Sequence, residues 1–207
     1  MIDLPPPDPS LQIVLASEGM SKGLKQTDGP QLLVRGGVAF GPVAVEAYGK
    51  NVLSGSDDGI EAGLSLVLSR DVAGFSLSAR AGRKALVGID GPVDDDAFEF
   101  QLGVSRRLGP VRASATITYS PDDLGSTGES AYYEAGLSWQ VRPHTRLSGG
   151  VGRRERDGGP DYTSFNAGIT QQLLPHVEAD LHYFSTDREA LGAAYHGRLI
   201  ASLRASF

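Results

Sequence analysis

Two alternations run together along this chain, and they leave few folds open to it. Segments of about ten residues, in which apolar and polar side chains take turns, are separated by connections that are alternately short and long. Successive side chains of a strand point to opposite faces, so period two means that one face meets an apolar medium and the other meets water. The segments are Leu11–Glu18, Gln31–Phe40, Val43–Asn51, Ile60–Ser69, Phe75–Arg83, Ala97–Arg107, Val111–Ser120, Ser130–Val141, Thr145–Arg153, Ser164–Leu173, His176–Ser185 and Ala194–Phe207. Short connections fall at Gly41-Pro42, Arg70–Gly74, Leu108–Pro110, Arg142–His144 and Leu174-Pro175. Longer ones fall at Gly19–Pro30, Val52–Gly59, Lys84–Asp96, Pro121–Glu129, Arg154–Thr163 and Thr186–Ala193. Helical periodicity is sustained nowhere, and Gly recurs inside the segments, where it would weaken a helix. An even set of about twelve strands with short turns at one rim predicts an all-β fold, a transmembrane antiparallel up-and-down β-barrel.

The two faces differ in charge. One carries runs such as Ile60, Ala62, Leu64, Leu66 and Leu68, and its charges, Arg83, Arg106 and Arg153, stand at strand ends where a long side chain can reach an interface. The aromatics Phe40, Phe75, Phe98, Tyr133, Trp139, Tyr183, Tyr195 and Phe207 on this face are expected at the membrane interfaces. The other face carries Arg35, Glu46, Lys50, Glu61, Arg80, Glu99, Arg112, Glu134, Glu178, Asp180, His182, Arg198 and Arg204, with acids and bases interspersed. Barrels of roughly eight strands fill their interior with side chains, and twelve strands enclose more room. The polar face is therefore expected to line a lumen, with the apolar face against lipid.

The final segment, Ala194–Phe207, has Tyr195 and Phe207 at the two ends of its apolar face. A terminal Phe on such a strand resembles the C-terminal signal of Gram-negative outer-membrane barrels. That resemblance implies the barrel-assembly machinery as a partner, together with outer-membrane lipids and lipopolysaccharide.

Composition narrows the remaining classes. The 207 residues suffice for a single domain, read as a Pro-rich tail over residues 1–10 and a barrel over residues 11–207. The mean hydropathy of −0.16 does not separate a soluble protein from a membrane barrel, because alternation cancels in any window. Absence of Cys removes disulfides and thiolate chemistry. A net charge of −6 argues against nucleic acid as a partner, since such proteins present a basic patch to phosphates. Met1–Pro9 lacks the basic start and apolar core of a signal peptide. The expectation is a mature outer-membrane form in which a starting Met replaces the signal.

The first long connection contains Lys22-Gly23-Leu24-Lys25-Gln26-Thr27-Asp28. This stretch resembles the first hairpin of the TorF-type porin family, which has a basic residue, Gly, a variable position, Ser and then Gln-Thr-Asp; Lys25 stands where Ser is usual. The resemblance implies an outer-membrane barrel with a pore and supplies no substrate.

Residues that bear on chemistry are few. His182 and His196 fall on the polar faces of neighbouring segments with Asp180 close by, a pattern that can orient a general base. Both point inward, away from a lipid substrate, and the His-x-Ser pattern of lipid A deacylases is absent, so no enzyme is expected. Asp94-Asp95-Asp96 and Asp122-Asp123 offer carboxylates to divalent cations but lack calcium-loop spacing. No cofactor and no metal site are expected. The function expected is a narrow porin-like channel for passive passage of small polar solutes. The alternatives are a non-conducting structural or ligand-binding barrel and an outer-membrane lipid hydrolase.

Overall fold

The computed structural model of the chain describes residues 5–54, 57–88 and 94–207. Parts of the expected tail and of the loops Val52–Gly59 and Lys84–Asp96 lie outside the described residues. Fourteen strands are present. They are β1 (Asp8–Ala16), β2 (Met20–Ser21), β3 (Leu24–Lys25), β4 (Gln31–Phe40), β5 (Val43–Ser54), β6 (Asp57–Val72), β7 (Phe75–Val87), β8 (Asp96–Leu108), β9 (Val111–Asp123), β10 (Gly128–Arg142), β11 (Thr145–Arg156), β12 (Tyr162–Leu174), β13 (Val177–Thr186) and β14 (Arg198–Ser206). Twelve of them, β1 and β4 to β14, close into an antiparallel barrel in chain order, while β2 and β3 form a separate two-stranded hairpin. Closure is made by β1, whose Gln12–Ala16 pair with Ser202–Ser206 on one side and with Gln31–Arg35 on the other.

The short connections are tighter than the sequence suggests. Between β6 and β7 the ladder continues to Val72 opposite Phe75, leaving only Ala73 and Gly74, both at positive φ. Positive φ at both central residues is the type I′ geometry whose twist suits a two-residue hairpin. At the other rim the strands run two to four residues beyond the bounds read from polarity at several places, as in β7, which reaches Val87, and β9, which reaches Asp123.

Two differences concern the chain ends. The first strand begins at Asp8 and takes in Pro9, which pairs with Val38 of β4. The Leu11 amide faces β14 and donates to Phe207 O at 2.9 Å. Two residues earlier, the amide hydrogen that Pro9 lacks would point past Phe207, so the ladder loses nothing there. The last strand begins at Arg198, not Ala194, because Glu189–Leu191 and Ala193–Tyr195 form short 3-10 turns.

Polarity is inverted relative to a soluble domain. The most exposed side chains include Leu102 at 62%, Leu137 at 60% and Leu64 at 59%, while Ser120, Asp123 and Glu61 are buried. Apolar exposure of this extent, continuous around a closed barrel, requires an apolar medium outside. No helix among the described residues is long and apolar enough to cross a membrane.

Candidate functional site

The structure places the first long connection inside the barrel mouth. Lys22 and Gly23 make the turn between β2 and β3, at φ +49° and +81°, the type I′ arrangement again. From this turn Lys22 reaches across to β8 and β9, where its Nζ donates to Glu99 Oε2 at 2.9 Å and Asp123 Oδ2 at 3.2 Å. On the opposite wall the Tyr162 hydroxyl donates to Lys22 O at 2.6 Å. Gly23 lies against Ser164 of β12, and a Cβ there would stand 2.3 Å from Ser164 Cβ, so only glycine fits the docked turn. Gln26 ties the base of the hairpin to β5: its Oε1 accepts from Lys50 Nζ at 2.7 Å and its carbonyl from the Leu53 amide at 2.7 Å. Thr27 is buried and its Oγ1 accepts from the Gly19 amide, while Lys25 pairs with Asp28.

The motif thus supplies the contacts that hold the hairpin in the lumen. Around its tip, Asp123 also pairs with Lys84 at 2.5 Å and Arg154 at 2.9 Å, and Glu99 with Lys84 at 2.9 Å. Asp123 faces inward because β9 has one extra residue against β10 between Ser120 and Asp123, a bulge that shifts the alternation by one. Three cations and two carboxylates therefore share one buried cluster in which each carboxylate is multiply bonded, the condition under which buried charge is tolerated.

The hairpin divides the space. On the side of β4 to β9 lies a cavity of about 610 Å³, reached by Arg35, Lys50, Arg80 and Lys84. On the other side, along β1 and β11 to β14, lies one of about 350 Å³, lined by Arg146, Asp180, His182 and Arg204. Glycines on the inner face let aromatic rings lie flat against the wall. A Cβ at Gly63 would fall 2.3 Å from the Tyr48 ring, and one at Gly152 would fall 2.1 Å from the Tyr132 hydroxyl.

The charged residues expected to line a lumen stand on the inner face, and several are brought together. Glu46 pairs with Arg80 at 2.7 Å and Lys50 with Glu61 at 3.2 Å. Glu178 lies between Arg146 at 3.8 Å and Arg204 at 3.6 Å, and Arg198 pairs with Glu18 at 2.7 Å. Asp180 accepts from Thr170 at 2.8 Å and lies 3.2 Å from His182 Nδ1, while His182 Nε2 lies 3.2 Å from Asn166 Oδ1. Arg112 donates to Ser105 Oγ at 3.4 Å, and Glu134 sits opposite Gly152. Arg35 stands beside Tyr48.

His196 corrects the pairing expected with His182. It lies before β14 in an exposed segment, and the residue opposite His182 is Ile200. The aromatics Phe40, Phe75, Phe98, Tyr133, Trp139, Tyr183 and Phe207 face outward in two groups near the rims, and Arg106 lies over the Phe75 ring at 4.8 Å. Tyr195 is a second correction. It belongs to a 3-10 turn, packs edge-on against Tyr162 at 5.6 Å and accepts from Arg156, because the chain leaves the ladder before Gly197.

One residue of each acidic run is engaged by the protein itself: Asp96 pairs with Arg83 at 2.6 Å and Asp123 belongs to the hairpin cluster. Among the described residues no group of acidic and His side chains is placed to hold a metal. Lys84 and Arg154 were not among the residues the sequence singled out, and Asp123 was weighed there only as a carboxylate for divalent cations. For Lys84 and Arg154 the signal was available, since each lies one residue past a segment whose alternation, continued, points it inward.

A closed twelve-stranded antiparallel barrel with an apolar exterior and a charged, partly occluded interior is a transmembrane barrel of the outer-membrane type. The family described as Gram-negative porin matches residues 29–191, and the chain belongs to it. The KdgM porin superimposes with a TM-score of 0.63 at 10% identity, over 96% of this chain and 99% of that one. The NanC porin does so at 0.62 and 5% identity, over 95% and 97%. An outer membrane channel from Pseudomonas putida F1 does so at 0.57 and 14%, over 97% and 95%. At these identities the likeness is one of fold. No curated protein matches the sequence.

Proposed function

We propose that the protein is a narrow passive channel of the Gram-negative outer membrane for small polar solutes, with its eyelet formed by the β2–β3 hairpin against the surrounding wall. The observation that carries this reading is the docked hairpin, which narrows the mouth and leaves open spaces of about 610 and 350 Å³ on its two sides. Solutes would pass between charged side chains whose spacing and field set what enters. The Lys22–Asp28 motif supports placing the chain with the TorF-type porins, because its residues make the contacts that dock the hairpin. Outer-membrane lipids and lipopolysaccharide are its proposed surroundings, and the strand ending at Phe207 is its proposed handle for the barrel-assembly machinery. The reading assigns no catalysis to His182, whose ring faces the lumen between Asp180 and Asn166.

Single-channel recording in a planar bilayer tests it, with polymers of graded size added to find which no longer enter. Small, steady conductance with exclusion of all but the smallest polymers is the expected result. Protein that migrates on gels in the heat-modifiable manner of a folded barrel, yet passes no current, would overturn the reading in favour of a structural barrel.

A further inference from the structure

The larger lumen cavity has a charge of its own. Although the whole chain is at −6, nine Lys and Arg residues border this cavity against three carboxylates. Those carboxylates are already engaged: Glu61 holds Lys50 at 3.2 Å and accepts from the Tyr48 hydroxyl at 2.7 Å, and Glu99 and Asp123 hold the hairpin cluster. Three acids beyond the lining take further cations: Glu46 holds Arg80 at 2.7 Å, Asp96 holds Arg83 at 2.6 Å and Asp28 holds Lys25.

Among the described residues two of the nine, Arg35 and Arg156, have no carboxylate partner; the Arg156 guanidinium is held by Pro160 O and the Tyr195 hydroxyl, which leaves Arg35. It faces the cavity from β4, no carboxylate of the described residues lies within 4.0 Å of it, and its buried Nε has no hydrogen-bond partner. Its guanidinium lies over the Tyr48 ring, 5.8 Å from the centroid. That ring is itself fixed, tied to Glu61 at one end and lying over Gly63. Lys50 stands diagonally across the β4–β5 ladder, two residues from Tyr48, where side chains come within reach of a shared ligand. The result is a planar donor fork, beside an aromatic ring, in an open space bordered mainly by cations. With Nε sealed against the wall, the two Nη groups are the end of the fork left for a ligand, and such a pair matches the two oxygens of a carboxylate, which it binds bidentately.

We propose that Arg35 is a reception site for the carboxylate of small organic anions and that it gives the channel an anion preference. The inference rests on the channel reading for its role in passage, but the binding site stands on its own geometry. Excess cations in a low-dielectric passage raise the local concentration of anions, and Arg35 adds a point of contact to that field.

The test compares gluconate with sorbitol, polyols of nearly equal size that differ in the carboxylate. Binding to the detergent-folded protein is measured by calorimetry, and block of current is measured in a bilayer. Gluconate is expected to bind and to interrupt current, and sorbitol to do neither. Arg35→Gln is expected to weaken gluconate binding about tenfold to a hundredfold, the range for loss of a charge-assisted hydrogen bond. Arg35→Lys, which keeps the charge but not the fork, should recover only part of the affinity, and Arg106→Gln, on the outer face, none of the loss. Heat-modifiable migration verifies that each variant is folded.

Equal binding of gluconate by wild type and Arg35→Gln would overturn the proposal, as would full affinity in Arg35→Lys or equal competition by sorbitol. Conductance without gluconate binding would remove the Arg35 site and leave the channel standing. Arg35-dependent binding in a barrel that passes no current would uphold the site and remove the channel.

Discussion

The two ends of the lumen are built differently. At the long-loop end, a hairpin and five buried or half-buried charges fill the mouth, with ion pairs of 2.5 to 3.2 Å. At the short-turn end, the wall between β6 and β9 borders a space of about 320 Å³ with Ser69, Ser78, Ser105, Ser114 and Thr116 together with Arg70 and Asp71, and Arg107, Arg112 and Arg146 border a further space of about 390 Å³. Ion pairing toward that end is looser, as at Glu178, whose two Arg partners stand at 3.6 and 3.8 Å. The same alternating strands make both ends, so the difference comes from what stands on their inner face. Small hydroxyls leave room for water, whereas large charged groups meet across the barrel and must satisfy one another. On the proposed reading the hairpin is the constriction and the other end a vestibule.

The sharpest way to break this contrast is to remove the hairpin. Replacing Met20–Lys25 by a short Gly-Ser link should raise single-channel conductance several times and admit larger polymers; unchanged conductance would place the constriction elsewhere. Next in size is Asp123→Asn, which strips a shared carboxylate from Lys22, Lys84 and Arg154. Uncompensated buried charge should cost about 3–5 kcal/mol, read from unfolding in detergent, with noisier current as the hairpin loosens. A third test compares the two faces of β8. Leu102→Arg, which points to lipid, should cost about 2–4 kcal/mol, and Gln101→Arg, beside it on the inner face, should leave stability nearly unchanged while altering conductance. Equal costs would contradict the outward assignment of Leu102. The smallest effect is expected in the vestibule, where Ser105→Ala should shift stability by no more than about 0.5 kcal/mol and leave ion preference as it was.

Much of the barrel was legible because each strand reports its surroundings residue by residue. Leu64, Leu66 and Leu68 alternate with Ser65 and Val67 whatever the rest of the chain does, since lipid acts on each position separately. The even strand number and the two kinds of connection could be counted in the same way. Strand ends were harder: β7 and β11 continue past Arg83 and Arg153 because charged residues above the apolar zone can still pair in the ladder. Polarity marks where lipid stops and not where hydrogen bonding stops. Tyr195 misled for a related reason, as it continues the period-two pattern of β14 across Gly197 although the chain there has turned away to pack against Tyr162.

The sequence by itself determined the architecture, namely the inner and outer faces, the closed topology and the rims, because alternation and turn chemistry are local and repeat in every hairpin. It also marked Lys22–Asp28 as unusual. Only the tertiary structure decided what that stretch does. Lys22 meets partners 77 and 101 residues away, and its carbonyl meets Tyr162, 140 residues away. Those contacts depend on barrel closure, on strand register and on the bulge that turns Asp123 inward. None of these is a property of a short segment, so the path through the lumen emerges only when opposite walls face each other.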